Sequence, residues 1–260
     1  MLGCGRNLNG MKILTLNTWQ ERGPWRLRWK LIVGGIQEMR PDVVAFQELF
    51  NPDWAQGLKQ EMDFPFLVFH PEPSGLAIFS RFEVLRSAAL VMKTKSPTED
   101  YLRYALFAKM KYGRRELAVF NTHLSWRLEE GAIREKQVDE LLAFMEDKAS
   151  GHDTVVTGDF NAPPETAEIK KMGARHFKDA FGMCHPRELG FTWNHENPYA
   201  RNCEHPMPNR RIDYLFVRAG AESFLSRPES VKIIFNRPDF SGIWPSDHFG
   251  LLAHFEDANR

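Results

Sequence analysis

The chain has 260 residues, 43% of them hydrophobic and 26% charged, which suits a globular protein with a sizeable core. Lys plus Arg and Asp plus Glu both number 34, so the formal net charge is zero and gives no support for a general nucleic-acid binder. Three cysteines, Cys4, Cys184 and Cys203, form no CxxC pair and argue against a disulfide framework, and no apolar run reaches the length of a membrane span.

Residues 1–10 read as a poorly ordered tail, with a single domain over 11–260. "KILTLNTW" reads as a buried strand, Lys12 to Leu16, ending in polar Asn17 and Thr18. A helix is expected from Trp25 to Met39, stopped by Arg40-Pro41. Val43 to Phe46 is a second strand, running into Gln47-Glu48. A short helix from Pro52 to Met62 and a strand from Phe66 to Phe69 follow. "GLAIFSR", "EVLRSAALVM", "RYALFAKMKY" and "RELAVFNTHL" predict four consecutive strands, the last two joined by a turn at Gly113-Arg114. Glu129 to Lys148 is an amphipathic helix, with Ile133, Val138, Leu141, Leu142 and Met145 near one face. A buried strand at Thr154 to Thr157 precedes "GDFNAPP", and a short helix is expected from Pro164 to Met172. Phe191 to Arg211 reads as a long surface loop. "RIDYLFVR", "ESVKIIF" and "FGLLAHF" close the chain as strands.

One pattern recurs along this order. An apolar strand ends, and a carboxylate, amide or imidazole appears within a residue or two. It happens at Asn17, Glu48, His123, Asp159 with Asn161, Asp213, and Asp247 with His248. Taken singly each has a plain reading: Asn161 before Ala-Pro-Pro is a turn residue, and Asp213 is an ion-pair partner for Arg210 or Arg211. Taken together they are chemically complementary and point to metal-assisted phosphoryl transfer. A hard cation such as Mg²⁺, with Mn²⁺ able to substitute, takes carboxylate and neutral oxygens, here Glu48, Asp247 and Asn17. Asp159 and His248 are candidates to activate water. Asn161 and His123 can donate to phosphate oxygens, and Asp213 can orient an imidazole. No Ser or Cys stands in a nucleophile motif, which favours direct attack by water.

The ordered set "LNTW", "VVAFQELF", "GLAIFSR", "FNTHLSW", "GDFNAPP", "RRIDYLF" and "PSDHFGLLA" resembles the endonuclease/exonuclease/phosphatase superfamily over about Met11 to Phe255. The resemblance implies a four-layer α-β-β-α sandwich, two mixed sheets face to face with helices outside. It places Asn17, Glu48 and Asp247 on metal positions and His123 against the scissile phosphate. Asp159 and Asn161 position the water and the phosphate. Asp213 orients His248, and the base is left open between Asp159 and His248. "LNTW" departs from the "NVNG" start of abasic endonucleases, and "GDFNAPP" from the motif of inositol phosphatases. The chain is therefore nearest the sphingomyelinase, deadenylase and tyrosyl-DNA phosphodiesterase side.

The expected function is hydrolysis of a phosphate ester, a lipid-headgroup or small or nucleotide phosphodiester first. A nuclease, a phosphomonoesterase and a non-catalytic module of the same fold are the alternatives. Peripheral lipid contact is left open, and a cytoplasmic monomer is the default. Substrate contacts are expected from Arg211 and Trp193, and from aromatic-rich stretches holding Trp25, Trp29 and Phe240. Trp126 is expected to line the pocket or to be core.

Overall fold

The computed structural model describes residues 10–70, 74–220, 223, 225 and 227–256; all of the expected tail except Gly10 lies outside them. In chain order the strands are β1 (Met11–Asn17), β2 (Val43–Gln47), β3 (Phe66–Phe69), β4 (Ala77–Ser80), β5 (Val84–Val91), β6 (Tyr104–Tyr112), β7 (Arg115–His123), β8 (Asp153–Asp159), β9 (Lys178–Asp179), β10 (Asp213–Arg218), β11 (Ser230–Ile234) and β12 (Gly250–Phe255). The helices are α1 (Trp25–Met39), α2 (Pro52–Glu61), α3 (Gly131–Ala149), α4 (Ala167–Ala174), α5 (Ala180–Cys184) and α6 (Pro198–Arg201).

Two six-stranded sheets form, ordered β11-β12-β1-β2-β4-β3 and β5-β6-β7-β8-β10-β9. Each is mixed for the same reason. One helix returns the chain to a parallel neighbour, α1 between β1 and β2 and α3 between β7 and β8, and the other pairings are antiparallel. Strand alternation then sorts the side chains. Leu14, Leu16, Val44 and Phe46 point outward and meet Trp29, Ile32 and Ile36 of α1. Ala118, Phe120 and Val156 point outward on the other sheet and meet Val138, Leu141 and Met145 of α3. Ile13, Val43, Val119, Val155 and Leu215 fill the space between the sheets. The expected four-layer sandwich is the observed one.

The inward faces change character along their length. β1 runs Met11, Ile13, Thr15, Asn17, and β7 runs Leu117, Val119, Asn121, His123; β8 ends in Thr157 and Asp159, and β10 begins with Asp213. The middle layer is therefore oily at one end and polar at the other. At the boundary Gln47 donates to Asn121 Oδ1 (2.6 Å) and Thr15 Oγ1 (3.1 Å). Asn121 donates across to the carbonyls of Phe46 (2.8 Å) and Ala77 (3.1 Å). These buried bonds tie one sheet to the other beneath the polar end.

β7 and β8 approach closely because Gly158 has no side chain. A Cβ there would lie 2.1 Å from the Thr122 carbonyl oxygen, at φ +149. Gly158→Ala is expected to destabilise by about 1–3 kcal/mol in chemical denaturation. An unchanged midpoint would contradict this account of the β7–β8 contact.

Two expectations need correction. The helix expected at Pro164 begins only at Ala167, because residues 164–166 form a turn closed by Thr166 on the Pro163 carbonyl. The stretch Phe191 to Arg211 is only partly a surface loop: residues 201–209 are mostly exposed, but Thr192, Trp193, Asn197, Ala200 and Arg210 are buried, and Trp193 pairs through its backbone with both Arg210 and His248.

Candidate active site

Register brings the polar strand ends onto common rungs. Asn17 lies beside Gln47, and His123 and Asp213 lie on either side of Asp159. Asp159 Oδ2 accepts from Asn17 Nδ2 at 3.0 Å and faces Nε2 of His123 at 3.4 Å and of His248 at 3.8 Å. Its other oxygen accepts the Asn161 backbone N–H at 2.9 Å. Asn161 has φ +51, a left-handed turn that Asn tolerates, and donates its side chain to the Leu124 carbonyl at 3.1 Å. Asp213 Oδ2 holds His248 Nδ1 at 2.9 Å, so the imidazole turns Nε2 toward Asp159.

The segment around Trp193 keeps that pair in place. Thr192 Oγ1 accepts the backbone N–H of Ile212 and Asp213, both at 3.1 Å, and its carbonyl accepts Phe249 N–H at 2.7 Å. The Trp193 ring stands edge-on to His248, centroids 5.0 Å apart. Asn197 fixes the next turn by donating to the Ser246 carbonyl at 2.7 Å.

Burial sets the charge states. It works against a charged imidazole at His248, but Asp213, Asp159 and Asp247 outweigh it and raise that residue to about 10. Burial, reinforced by Asp213, pushes Asp159 up to about 7. Burial, with the charges of Arg103 and His248, holds His123 well below its ordinary value. The site thus favours the protonated form of His248 beside an Asp159 carboxyl whose hold on a proton is strengthened by burial.

Glu48 follows β2 with φ +60, an unfavourable backbone for a non-glycine residue that costs about 1–3 kcal/mol and clusters at functional sites. Its carboxylate accepts Asn17 Nδ2 at 3.3 Å and borders three adjoining cavities. Burial pushes the Asp247 carboxyl up to about 6, and Glu48 adds to the rise. Two carboxylates open to the same cavity and offering only oxygen fit a hard divalent cation. Asp159, Asp213 and His248 also lie within metal-ligand spacing of one another; Asp213 Oδ2 and His248 Nδ1 are taken up by their mutual hydrogen bond, while Asp213 Oδ1 has no hydrogen-bond partner.

Asn17 Oδ1 accepts the Trp19 N–H at 3.1 Å, and its Nδ2 bridges Glu48 and Asp159. Arg211 differs from its expected role: it is closed on Asp179, stands over the rings of Phe181 and Tyr214, and does not line the cavity. Trp25 and Trp29 pack against Trp54 instead of facing the main cavity, and Phe240 projects fully into solvent. Trp193 does line it, together with Trp126, Tyr101, Trp19, His205 and Arg210. Trp126 lies beside His205, centroids 5.0 Å apart, with Arg127 over its ring. The cavity is about 360 Å³.

The sequence reading missed Arg28. It is fully buried, and its five N–H groups reach five backbone carbonyls: Arg22 from Nε (3.0 Å), Thr18 and Pro245 from Nη1 (3.0 and 2.9 Å), Trp19 and Gln20 from Nη2 (3.1 and 2.9 Å). A lone Arg inside an otherwise apolar helix face was the signal.

Comparison with known proteins agrees with the fold. Tyrosyl-DNA phosphodiesterase 2 of Gallus gallus is 24% identical over 257 residues, covering 93% of this chain and 66% of that protein. Nocturnin of Drosophila melanogaster is 26% identical over 278 residues, covering 91% of this chain and 43% of that protein. The chain thus spans less than two thirds of the length of these relatives. The crystal structure of tyrosyl-DNA phosphodiesterase 2 from D. rerio, complexed with single-strand DNA product, superposes with a TM-score of 0.81 at 21% identity, covering 95% of this chain and 98% of that one. The human nocturnin catalytic domain with bound sulfate gives 0.70 at 20% identity, covering 95% and 94%. No helix among the described residues is long and apolar enough to cross a membrane. The endonuclease/exonuclease/phosphatase family model matches residues 14–248, from the strand that carries Asn17 to His248 itself, and the chain belongs to that family.

Proposed function

We propose that the protein is a Mg²⁺-dependent phosphodiesterase that cleaves a nucleotide-type phosphodiester by direct attack of water. The observation that carries this reading is the convergence on Asp159 Oδ2 of Asn17 Nδ2, His123 Nε2 and His248 Nε2, at 3.0, 3.4 and 3.8 Å, in one cavity walled by aromatic rings. Asp159 accepts the proton of the attacking water. His248, held protonated by Asp213, donates Nε2–H to the charge that builds on the phosphoryl oxygens. His123 stays neutral and offers a hydrogen bond to the phosphate, as does the second amide proton of Asn161. Asn17 is a positioning residue that holds Asp159 and Glu48 in one frame. Glu48 and Asp247 would hold the cation, which supplies positive charge against the phosphate oxygens.

The aromatic walls and the two named relatives support a nucleotide-bearing substrate over a lipid headgroup. Tyr101, an exposed ring on the cavity wall, can stack on a base. The test uses thymidine 5′-(4-nitrophenyl phosphate) with Mg²⁺, with Mn²⁺ and with EDTA. Turnover is expected with either metal and none with chelator. His248→Ala is expected to lower kcat/KM by about a hundredfold or more. Metal-independent turnover, or turnover indifferent to His248→Ala, rejects the mechanism. Faster release of phosphocholine from sphingomyelin vesicles than of nitrophenol would keep the site and replace the substrate.

A further inference from the structure

The cavity contains a cation that the mechanism above does not use. Arg210 is 4% exposed and lines the cavity with Asp159 and His248. Its neighbours in the fold are closed: Arg211 on Asp179, Arg134 on Glu168, Arg103 on Glu99. Among the described residues Arg210 makes no ion pair. Its Nη2 rests on the Met207 sulfur at 2.6 Å, a weak acceptor, and its Nε has no partner. Asp159 and Asp213 influence it only at a distance, and burial lowers its pKa. A buried guanidinium without a counter-charge is costly, and an anionic ligand removes that cost.

Its place is fixed by backbone. Arg210 N–H donates to the Trp193 carbonyl at 2.9 Å, and Trp193 N–H returns to the Arg210 carbonyl at 3.0 Å. Trp193 also pairs with His248 on its other side, so the three form a short ladder with Trp193 in the middle. Two strand spacings separate the outer members by roughly 10 Å. The indole Nε1 of Trp193 is a second donor without a partner, in the same wall. The phosphate being cleaved already has His123, His248, Asn161 and the cation. The Arg210 backbone stands two strand spacings from His248 across that ladder.

We infer that Arg210 receives a second phosphate of the substrate, and so selects ligands carrying two phosphates over those carrying one. The first phosphate is placed by the phosphodiesterase reading, on which this inference rests. The shared chemistry admits two arrangements, adjacent phosphates or phosphates separated by a sugar.

The experiment is calorimetric titration in Mg²⁺ of thymidine 5′-phosphate, thymidine 5′-diphosphate and thymidine 3′,5′-bisphosphate. The wild-type protein is expected to bind at least one two-phosphate ligand about 10- to 100-fold more tightly than the monophosphate. Which ligand is preferred identifies the arrangement. Arg210→Met is expected to collapse that ratio toward one, and Arg210→Gln to do the same, which guards against misfolding of the methionine variant. Arg210→Lys, which keeps the charge, is expected to retain an intermediate preference. A wild-type ratio near one, or a preference that survives both neutral variants, overturns the inference. Preference without turnover of the nitrophenyl ester rejects the phosphodiesterase reading and keeps the anion site. Turnover without preference does the reverse.

Discussion

Asp159→Asn is expected to lower kcat/KM by about 10²- to 10⁴-fold while leaving Mg²⁺ affinity within a few-fold of wild type. The side chain is nearly isosteric, but it removes the proton acceptor and cannot accept at both oxygens. The Asn161 N–H would keep its partner, while an amide nitrogen would then confront Asn17 Nδ2 and the two imidazoles. Glu48→Gln is expected to show the opposite pattern, with Mg²⁺ affinity falling by at least about tenfold and turnover partly restored at high metal concentration. Both quantities follow from metal-dependent calorimetry and initial rates on the nitrophenyl ester. If Asp159→Asn weakened the metal as much as Glu48→Gln, the division between a proton-accepting carboxylate and metal-binding carboxylates would be wrong.

Arg28→Met is expected to destabilise the protein by about 3–5 kcal/mol, because five carbonyls lose their donors at once, those of Thr18 and Pro245 in buried positions. For a chain of this size that is a fall of roughly 6–20 °C in Tm. The effect should reach the site. Trp19 and Gln20, whose carbonyls Arg28 binds, are held at φ +56 and +50, backbone that neither residue favours alone. Both line the cavity. Arg28 also holds Pro245, two residues before Asp247. Burial lowers its pKa to about 10, with Asp247 and Glu48 acting in the other direction, so the guanidinium is charged at neutrality and lends positive field to both carboxylates. A loss below about 1 kcal/mol in urea denaturation would mean that water replaces the side chain without cost.

Much of this was legible in the sequence because it depends on local chemistry. The α1 helix runs from Trp25 to Met39 as its periodicity and the Arg40-Pro41 stop require. The β6–β7 hairpin turns at Gly113, whose φ is +62. The strand-end polar groups were visible because each interrupts an apolar run. What was not legible depends on contacts between distant segments. Arg210 and Arg211 are adjacent, yet one lines the cavity and the other closes on Asp179. Strand alternation could not separate them, since β10 begins only at Asp213 and its inward face does not extend back to Arg211. The Pro- and Asn-rich run after Phe191 read as solvent-facing, yet Trp193, Ala200 and Ile212 form a small core of their own beneath it.

The order of the first sheet bears on how the protein is made. β12 lies between β11 and β1, so residues 250–255 complete a sheet that begins at residue 11, and Arg28 reaches 217 positions along the chain to Pro245. Contacts of that separation carry a large loop-closure penalty and form late. On the ribosome, β1 must wait with one edge unpaired until nearly all the rest of the chain has been synthesised. Asp247 and His248 arrive with that final strand. A chain that stops short of β12 therefore has His123 and Asp159 but neither Asp247 nor His248, and the β1 edge that β12 covers stays unpaired.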